Sequence, residues 1–244
     1  MTALEISNLS KSFGGLHIVR NVSFSVRSGE RRLILGPNGA GKTTLFNLIA
    51  GDLSPSAGAI LLQGDDISSL STHKRARRGI GRTFQILTLF GGDTVLKNVL
   101  LAMLGRSRKR WRPFGFLESD AELRSGAMEI LDRVMLAHIA GKRVAECSYG
   151  ERRRLEIAMA LAQAPQVLLL DEPLAGLSRE ERKTVHQLLV SLPRTLTCIM
   201  IEHDMDVALD FAERISLLQN GIQVVEGERD AVINDPRTKE AYLA

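Results

Sequence analysis

The chain has 244 residues, 44% of them hydrophobic and 25% charged; that is enough apolar content to bury a full core as one large domain or two joined lobes, and it excludes a disordered chain. Its formal net charge of +4 suits phosphate, membrane-surface or nucleic-acid partners and selects none of them. Cys147 and Cys198 show no pairing pattern and no C-x-x-C, so a disulfide scaffold and a cysteine metal site are not expected, and a reducing compartment is.

No apolar run approaches the roughly 18 residues of a membrane-spanning helix, and MTALEISNLSKSF lacks the basic, apolar and small-residue regions of a secretion signal. The expectation is a soluble cytosolic chain, with any membrane spanning left to another chain.

In chain order, residues 3–9 (ALEISNL) and 17–26 (HIVRNVSFSV) alternate apolar and polar side chains, the pattern of half-buried strands in an antiparallel sheet. Between them KSFGG puts Phe13 on a turn, where an aromatic ring either packs inward or offers a face to adenine. Leu33, Ile34 and Leu35 read as a buried strand and lead into GPNGAGKTT, in which Gly36, Gly41, Lys42 and Thr43 fit G-x-x-x-x-G-K-[ST]. KTTLFNLIAG then has helical spacing up to Gly51, so strand, glycine loop and helix start follow one another. Glycines let successive N–H groups point into one concavity, and the helix start adds partial positive charge, so phosphate oxygens can be held there. Gly36, Asn38, Gly39, Ala40 and Gly41 would supply backbone donors, Lys42 would neutralise the β- and γ-phosphates, and Thr43 would offer its hydroxyl to magnesium. A glycine-rich turn before an ordinary helix is the bland alternative.

Residues 55–68 (PSAGAILLQGDDIS) read as a loop and another strand, scaffold in both cases. In HKRARRGIGRTFQ (73–85) Lys74, Arg75, Arg77, Arg78 and Arg82 precede Gln85, and the plainer reading is a solvated basic face. From Thr94 to about Leu136, VLKNVLLAMLG and DAELRSGAMEILDRVML have apolar residues three and four apart, the pattern of long helices. Between them RSRKRWRPFGF (106–116) is a cationic run with a Trp and a Pro: an exposed loop, or a surface for lipid head groups or a membrane partner. The change from α/β pattern to pure helix and back suggests a helical subdomain, about 86–161, inserted in a nucleotide-binding lobe of about 1–85 and 162–244.

CSYGERRRLEIAMALAQAP (147–165) reads as a turn at Ser148, Tyr149 and Gly150 followed by a helix whose first N–H groups could face an anion, or simply as a capped helix. QVLLLDEP (166–173) is an apolar strand ended by two acids and a proline, as at the C-terminal edge of a parallel sheet, where α/β folds bind ligands. Asp171 there could reach a magnesium ion through water, and Glu172 could act as a general base or orient water; two helix-capping acids are the alternative. TCIMIEHDM (197–205) is a second buried strand, ending at His203, whose imidazole could contact a γ-phosphate. His17, His73, His138 and His186 are taken as structural. Two alternating runs in ISLLQNGIQVVE (215–226) flank Asn220-Gly221, a hairpin signal, and TKEAYLA ends the chain as a short helix.

With GPNGAGKTT, GRTFQ, SYGER, VLLLDEP and IEHD in this order, the sequence resembles the ATP-binding subunits of ATP-binding-cassette (ABC) transporters from about residue 3 to the end. Within that family GRTFQ, SYGERRRLEIA, DEPLAGLS, IEHDM and DPRTKEAYLA look like the import ATPases for branched-chain amino acids and related amides or urea. The resemblance implies an α/β P-loop NTPase of ABC type, with a mixed sheet core, an N-terminal antiparallel β part and an inserted α-helical subdomain. It implies a head-to-tail dimer in which each ATP lies between the glycine loop of one subunit and the signature of the other. Phe13 would then stack on adenine, and Thr44 would join the loop residues that bind nucleotide. Gln85 would sense magnesium and the attacking water. Ser148, Gly150 and Glu151 would face the partner's ATP, Glu172 would promote attack by water, and His203 would fix the transferred phosphoryl group. ATP and Mg2+ are the implied cofactors. The implied partners are transmembrane permease subunits, a second ATP-binding subunit identical or related, and indirectly a periplasmic solute-binding protein. The implied place is the cytoplasm, peripheral on the inner face of the cell membrane, with no nucleic acid expected.

Three departures from the family pattern stand out. Cys147 takes the place of an apolar Leu in the signature, Ser178 stands where relatives place an acid or Asn, and the helical stretch is longer by the 106–116 region. The competing readings are an ATPase for lipid or lipopolysaccharide export, whose signature region also reads GERRR, a soluble cassette ATPase acting on DNA or ribosomes, and a regulatory module without turnover. GRTFQ and the AYLA ending argue against the first, the single cassette against the second, and Lys42, Asp171, Glu172 and His203 against the third.

Overall fold

A computed structural model describes residues 1–83, 89–106, 120–202 and 205–243. The chain opens with an antiparallel sheet in the order β2-β1-β4-β5, formed by β1 (Thr2–Phe13), β2 (Leu16–Arg27), β4 (Ala57–Leu62) and β5 (Asp65–Asp66). Leu4, Ile6, Leu9, Val22 and Ile60 turn one face of it into the core. Both N-terminal strands run further than their alternation predicts. The β1–β2 ladder shifts register between Ile6 and Leu9 and again before Lys11, with Asn8 at φ 50, and each bulge breaks the two-residue period on which the expectation rested.

The second sheet has the order β10-β9-β3-β8-β7-β6, with β3 (Arg31–Leu35), β6 (Ile80–Arg82), β7 (Val167–Asp171), β8 (Thr197–Ile201), β9 (Arg214–Gln219) and β10 (Ile222–Glu228). Its ladders are parallel except the β9–β10 hairpin, so the sheet is mixed. Strands β3, β7 and β8 are buried throughout, as a parallel sheet covered on both faces requires. Ile201 is in register with both Ile34 and Asp171, so these three strands end at one level. The edge they share is where ligands bind in α/β sheets. Helices α1 (Lys42–Ala50), α2 (Thr72–Arg78), α7 (Met205–Phe211), α8 (Arg229–Asn234) and α9 (Pro236–Leu243) complete this unit, which comprises Met1–Arg82, Gln166–Glu172 and Leu192–Ala244.

Several arginines lie where sequence patterning puts apolar residues. Arg32, fully buried on β3, donates to Glu30, Ser216, Glu226 and the Ser25 carbonyl, and its guanidinium lies 5.5 Å from the Phe24 ring centroid. The basic face expected over 73–85 is only partly solvated. Arg75 is 1% exposed, because its guanidinium caps the carbonyls of Leu48 and Ile49 at the end of α1 and those of Ser68 and Leu70. Four main-chain acceptors replace the water that the charge would otherwise need.

The second unit comprises Thr83–Pro165 and Pro173–Ser191. Helices α3 (Val95–Arg106), α4 (Ala121–Arg133), α5 (Tyr149–Ala162) and α6 (Arg179–Ser191) pack through Val99, Leu100, Ala127, Leu131, Leu155, Ala158, Val185 and Leu188. Arg153 is buried on α5, where it pairs with Glu156 at 2.6 Å and donates to the Pro173 carbonyl at 3.0 Å. The 106–116 stretch lies outside the described residues apart from Arg106, the last residue of α3.

Candidate functional site

The loop after β3 lies against two elements distant in sequence. Gly41 has φ +97, and a Cβ there would stand 2.7 Å from the Ile18 carbonyl oxygen of β2. Gly221, in the β9–β10 turn at φ +79, donates its N–H to the Ala40 carbonyl at 3.1 Å, while its own carbonyl accepts from Arg20 N at 2.7 Å. The hairpin read from Asn220-Gly221 therefore buttresses the glycine loop. Only glycine allows that approach, because any side chain at residue 221 would meet Ile18 O at 2.3 Å.

The loop encloses a pocket of about 260 Å3 lined by Ile18, Asn38, Gly39, Ala40, Gly41, Lys42, Thr43, Thr44 and Glu172. Asn38, Gly39 and Thr43 are exposed to it, whereas Gly36, Ala40, Gly41 and Lys42 are buried. The Lys42 ammonium donates to the Gly36 carbonyl at 2.6 Å and the Pro37 carbonyl at 3.0 Å. Burial holds it below its ordinary pKa, with the Glu172 carboxylate pulling the other way. Phe13 ends β1, exposed, with the Lys11 ammonium 4.9 Å from its ring centroid, and is not among the residues lining the pocket. Ile18 is among them; nothing in its alternating strand singled it out.

Asp171 and Glu172 close β7. Asp171 is 1% exposed and its Oδ2 accepts from the Arg82 guanidinium at 2.7 Å. Glu172 turns off the sheet at φ 46, with its N–H held by the Ile201 carbonyl at 3.0 Å. A non-glycine residue in that region costs about 1 kcal/mol or more, and such conformations gather at functional sites. This turn brings Glu172 to the pocket beside Lys42 and Thr43. Gln85 and His203 lie outside the described residues.

In the second unit the signature is a helix start. Ser148 caps α5: its Oγ accepts from Glu151 N at 3.1 Å, and Glu151 accepts from Ser148 N at 2.7 Å. Lys142 adds a 3.0 Å ion pair to the same Glu151 carboxylate. Glu181 of α6 accepts from Gly150 N at 2.9 Å and Ser148 Oγ at 3.3 Å, and from Ser178 N and Oγ at 3.1 and 2.8 Å. A carboxylate thus already sits on donors that sequence reasoning offered to phosphate. Its signal was the S-x-x-E spacing of Ser178 and Glu181, a capping box in its own right. Cys147 is buried beside this cap with its Sγ toward the Arg143 carbonyl, and burial pushes its thiol up.

The donor set suits a nucleoside triphosphate. Backbone N–H groups line an open loop before a helix, a buried ammonium stands at its base, and an exposed threonine hydroxyl and a strand-end carboxylate are the oxygen ligands that a hard divalent cation takes alongside phosphates. Strand, loop and strand-end acids together define a P-loop nucleoside-triphosphate-binding protein.

Comparison with known proteins narrows that class. The family model described as ABC transporter matches residues 19–175. The high-affinity branched-chain amino acid transport ATP-binding protein BraF of Pseudomonas aeruginosa is 35% identical over 98% of this chain and 97% of its own length. The ADP conformation of MJ1267, an ATP-binding cassette of an ABC transporter, superposes with a TM-score of 0.88 at 31% identity, covering 100% of this chain and 99% of that one. A dimeric structure of MJ0796, a bacterial ABC transporter cassette, matches with a TM-score of 0.80 at 28% identity over 93% of this chain and 98% of that one. The chain belongs to the ABC transporter family, as an ATP-binding cassette that hydrolyses ATP. Among the described residues no helix is long and apolar enough to cross a membrane.

Proposed function

We propose that this chain is the ATP-hydrolysing, energy-coupling subunit of an ABC importer for branched-chain amino acids or related amides or urea. The observation that carries the reading is the meeting of Lys42, Thr43 and Glu172 in one pocket of a chain 35% identical to BraF over almost its whole length. It works as a dimer of ATP-binding subunits against transmembrane permease subunits, at the inner face of the membrane. A periplasmic solute-binding protein would deliver the solute, and no nucleic acid takes part.

The loop N–H groups of Gly36, Asn38, Gly39, Ala40 and Gly41 would receive the phosphates, with Thr44 completing the set. Lys42 would turn from the Gly36 and Pro37 carbonyls to the β- and γ-phosphates. A bound magnesium ion would neutralise developing phosphate charge, held by Thr43 and Asp171 with Gln85. Glu172 would orient the attacking water and take up its proton, and His203 would hold the transferred phosphoryl group. Phe13, exposed at the β1–β2 turn, would stack on the adenine. Ser148, Gly150 and Glu151 would face the partner's nucleotide, so closure of the dimer completes each site.

ATP-dependent transport tests the coupling. The chain is reconstituted with candidate permease subunits and a binding protein in vesicles, and solute accumulation is followed with and without ATP. The reading expects ATP-dependent uptake of a branched-chain amino acid, amide or urea; export of a lipid under the same conditions would replace it with the export reading.

A further inference from the structure

We propose that Arg82 is a positioning residue of this ATPase: it sets the orientation in which Asp171 meets the nucleotide-bound magnesium ion. The inference rests on the ATPase reading above. Arg82 ends β6, in register with Leu169 of β7, and its side chain is 8% exposed. Its Nη2 donates to Asp171 Oδ2 at 2.7 Å, while its Nη1 donates to Asn47 Oδ1 at 2.7 Å and Asp52 Oδ2 at 2.8 Å. Asn47 lies on α1 one turn beyond Thr43, so a single guanidinium touches both the helix that begins at Lys42 and the strand that ends at Asp171.

The geometry matters because the last torsion of an aspartate is soft. Asp171 is 1% exposed, so bulk water does little to hold its carboxylate plane. A guanidinium on Oδ2 fixes that plane and with it the direction in which Oδ1 is presented. The planar fork fixes two directions at once, which a lysine ammonium cannot do. Partners that orient a metal-binding carboxylate govern the metal more than they govern the rest of the ligand. Arg82 is also the last residue of the first of the three stretches that make up its unit, Met1–Arg82.

The test compares wild type with Arg82→Gln, Arg82→Lys and Asp52→Asn. The affinity of a non-hydrolysable fluorescent ATP analogue is measured with magnesium and again in EDTA, and each protein is melted without nucleotide. In Arg82→Gln the affinity ratio, magnesium over EDTA, is expected to fall about tenfold. Affinity in EDTA should stay within about twofold, because Asp171, Asn47 and Asp52, to which the fork donates, are not among the loop N–H groups offered to phosphate. Arg82→Lys should recover part of the ratio, and Asp52→Asn should leave it near wild type while sharing the loss of an ion pair. An unchanged ratio in Arg82→Gln overturns the proposal. So does an equal fall in Asp52→Asn, which would make Arg82 a structural clasp. If Arg82→Gln does not fold, Arg82→Lys decides, since a full wild-type ratio there refutes the need for the fork. A wild type whose affinity is the same with and without magnesium overturns the magnesium reading of the site itself, a failure distinct from that of Arg82.

Discussion

Lys42 holds a positive charge in a buried position by donating to two carbonyls of its own loop. A cation so placed is poised for phosphate, and losing one charge-assisted interaction of this kind costs about 1.5–3 kcal/mol. Lys42→Met should therefore weaken ATP binding by about tenfold or more, read by titration of a fluorescent analogue, with the melting temperature little changed. Arg75 makes the opposite case, a charge with a structural task. Arg75→Met leaves the Leu48 and Ile49 carbonyls at the end of α1 without their donor and should cost about 2–4 kcal/mol in urea unfolding. The loop residues were legible because their spacing is local. Arg32, Arg75 and Arg82 were not, since their partners include residues as far away in sequence as Glu226, Leu48 and Asp171 and a charged residue reads as solvated until those partners are known. The left-handed turn at Glu172 was equally hidden, because nothing about a glutamate announces a positive φ.

Among the elements, the glycine loop depends on a hairpin that the sequence marks only as a hairpin. Gly221→Val would drive a side chain into the Ile18 carbonyl and require φ +79 of a β-branched residue. The variant should lose both stability, by about 1–3 kcal/mol, and nucleotide affinity, although residue 221 does not line the pocket. Urea unfolding and analogue binding on the same sample check both. Strands 3–9 and 17–26 were read correctly as antiparallel; the second matches β2 to within a residue at each end, but the first ended too early, since the register shifts from Asn8 onward erase the alternation that marks it. At the signature, Ser178 hydrogen bonds lead in holding the Glu181 carboxyl below its ordinary value of 4.5, with Gly150 N and Ser148 adding to them. A depressed folded pKa stabilises the protein above the unfolded value and is lost as pH falls through the folded one. The stability advantage of wild type over Glu181→Gln should be full at pH 7 and shrink below about pH 4.5, measured as the difference in urea midpoints.

At the scale of the molecule, β3, β7 and β8 place the loop and both strand-end acids at one level of one sheet, while the signature belongs to a separate helical unit. Alternation, apolar runs and helical spacing marked most of these strands and helices in outline, while α6, which the sequence reading left with the nucleotide-binding lobe, falls in the helical unit. Strand order was not, because it depends on pairings such as β3 between β8 and β9 that join residues far apart in the chain. Among the relatives, MJ0796 forms a dimer. On the function proposed above, in which Ser148, Gly150 and Glu151 face the partner's nucleotide, a lone chain has an incomplete catalytic site. The most direct measurement is ATP hydrolysis by the purified chain and by Glu172→Gln, with light scattering in the presence and absence of ATP. The account predicts turnover by wild type, a loss of about a hundredfold or more in Glu172→Gln with ATP binding retained, and an ATP-dependent dimer trapped by the variant. A Glu172→Gln chain that hydrolyses ATP at the wild-type rate would contradict it.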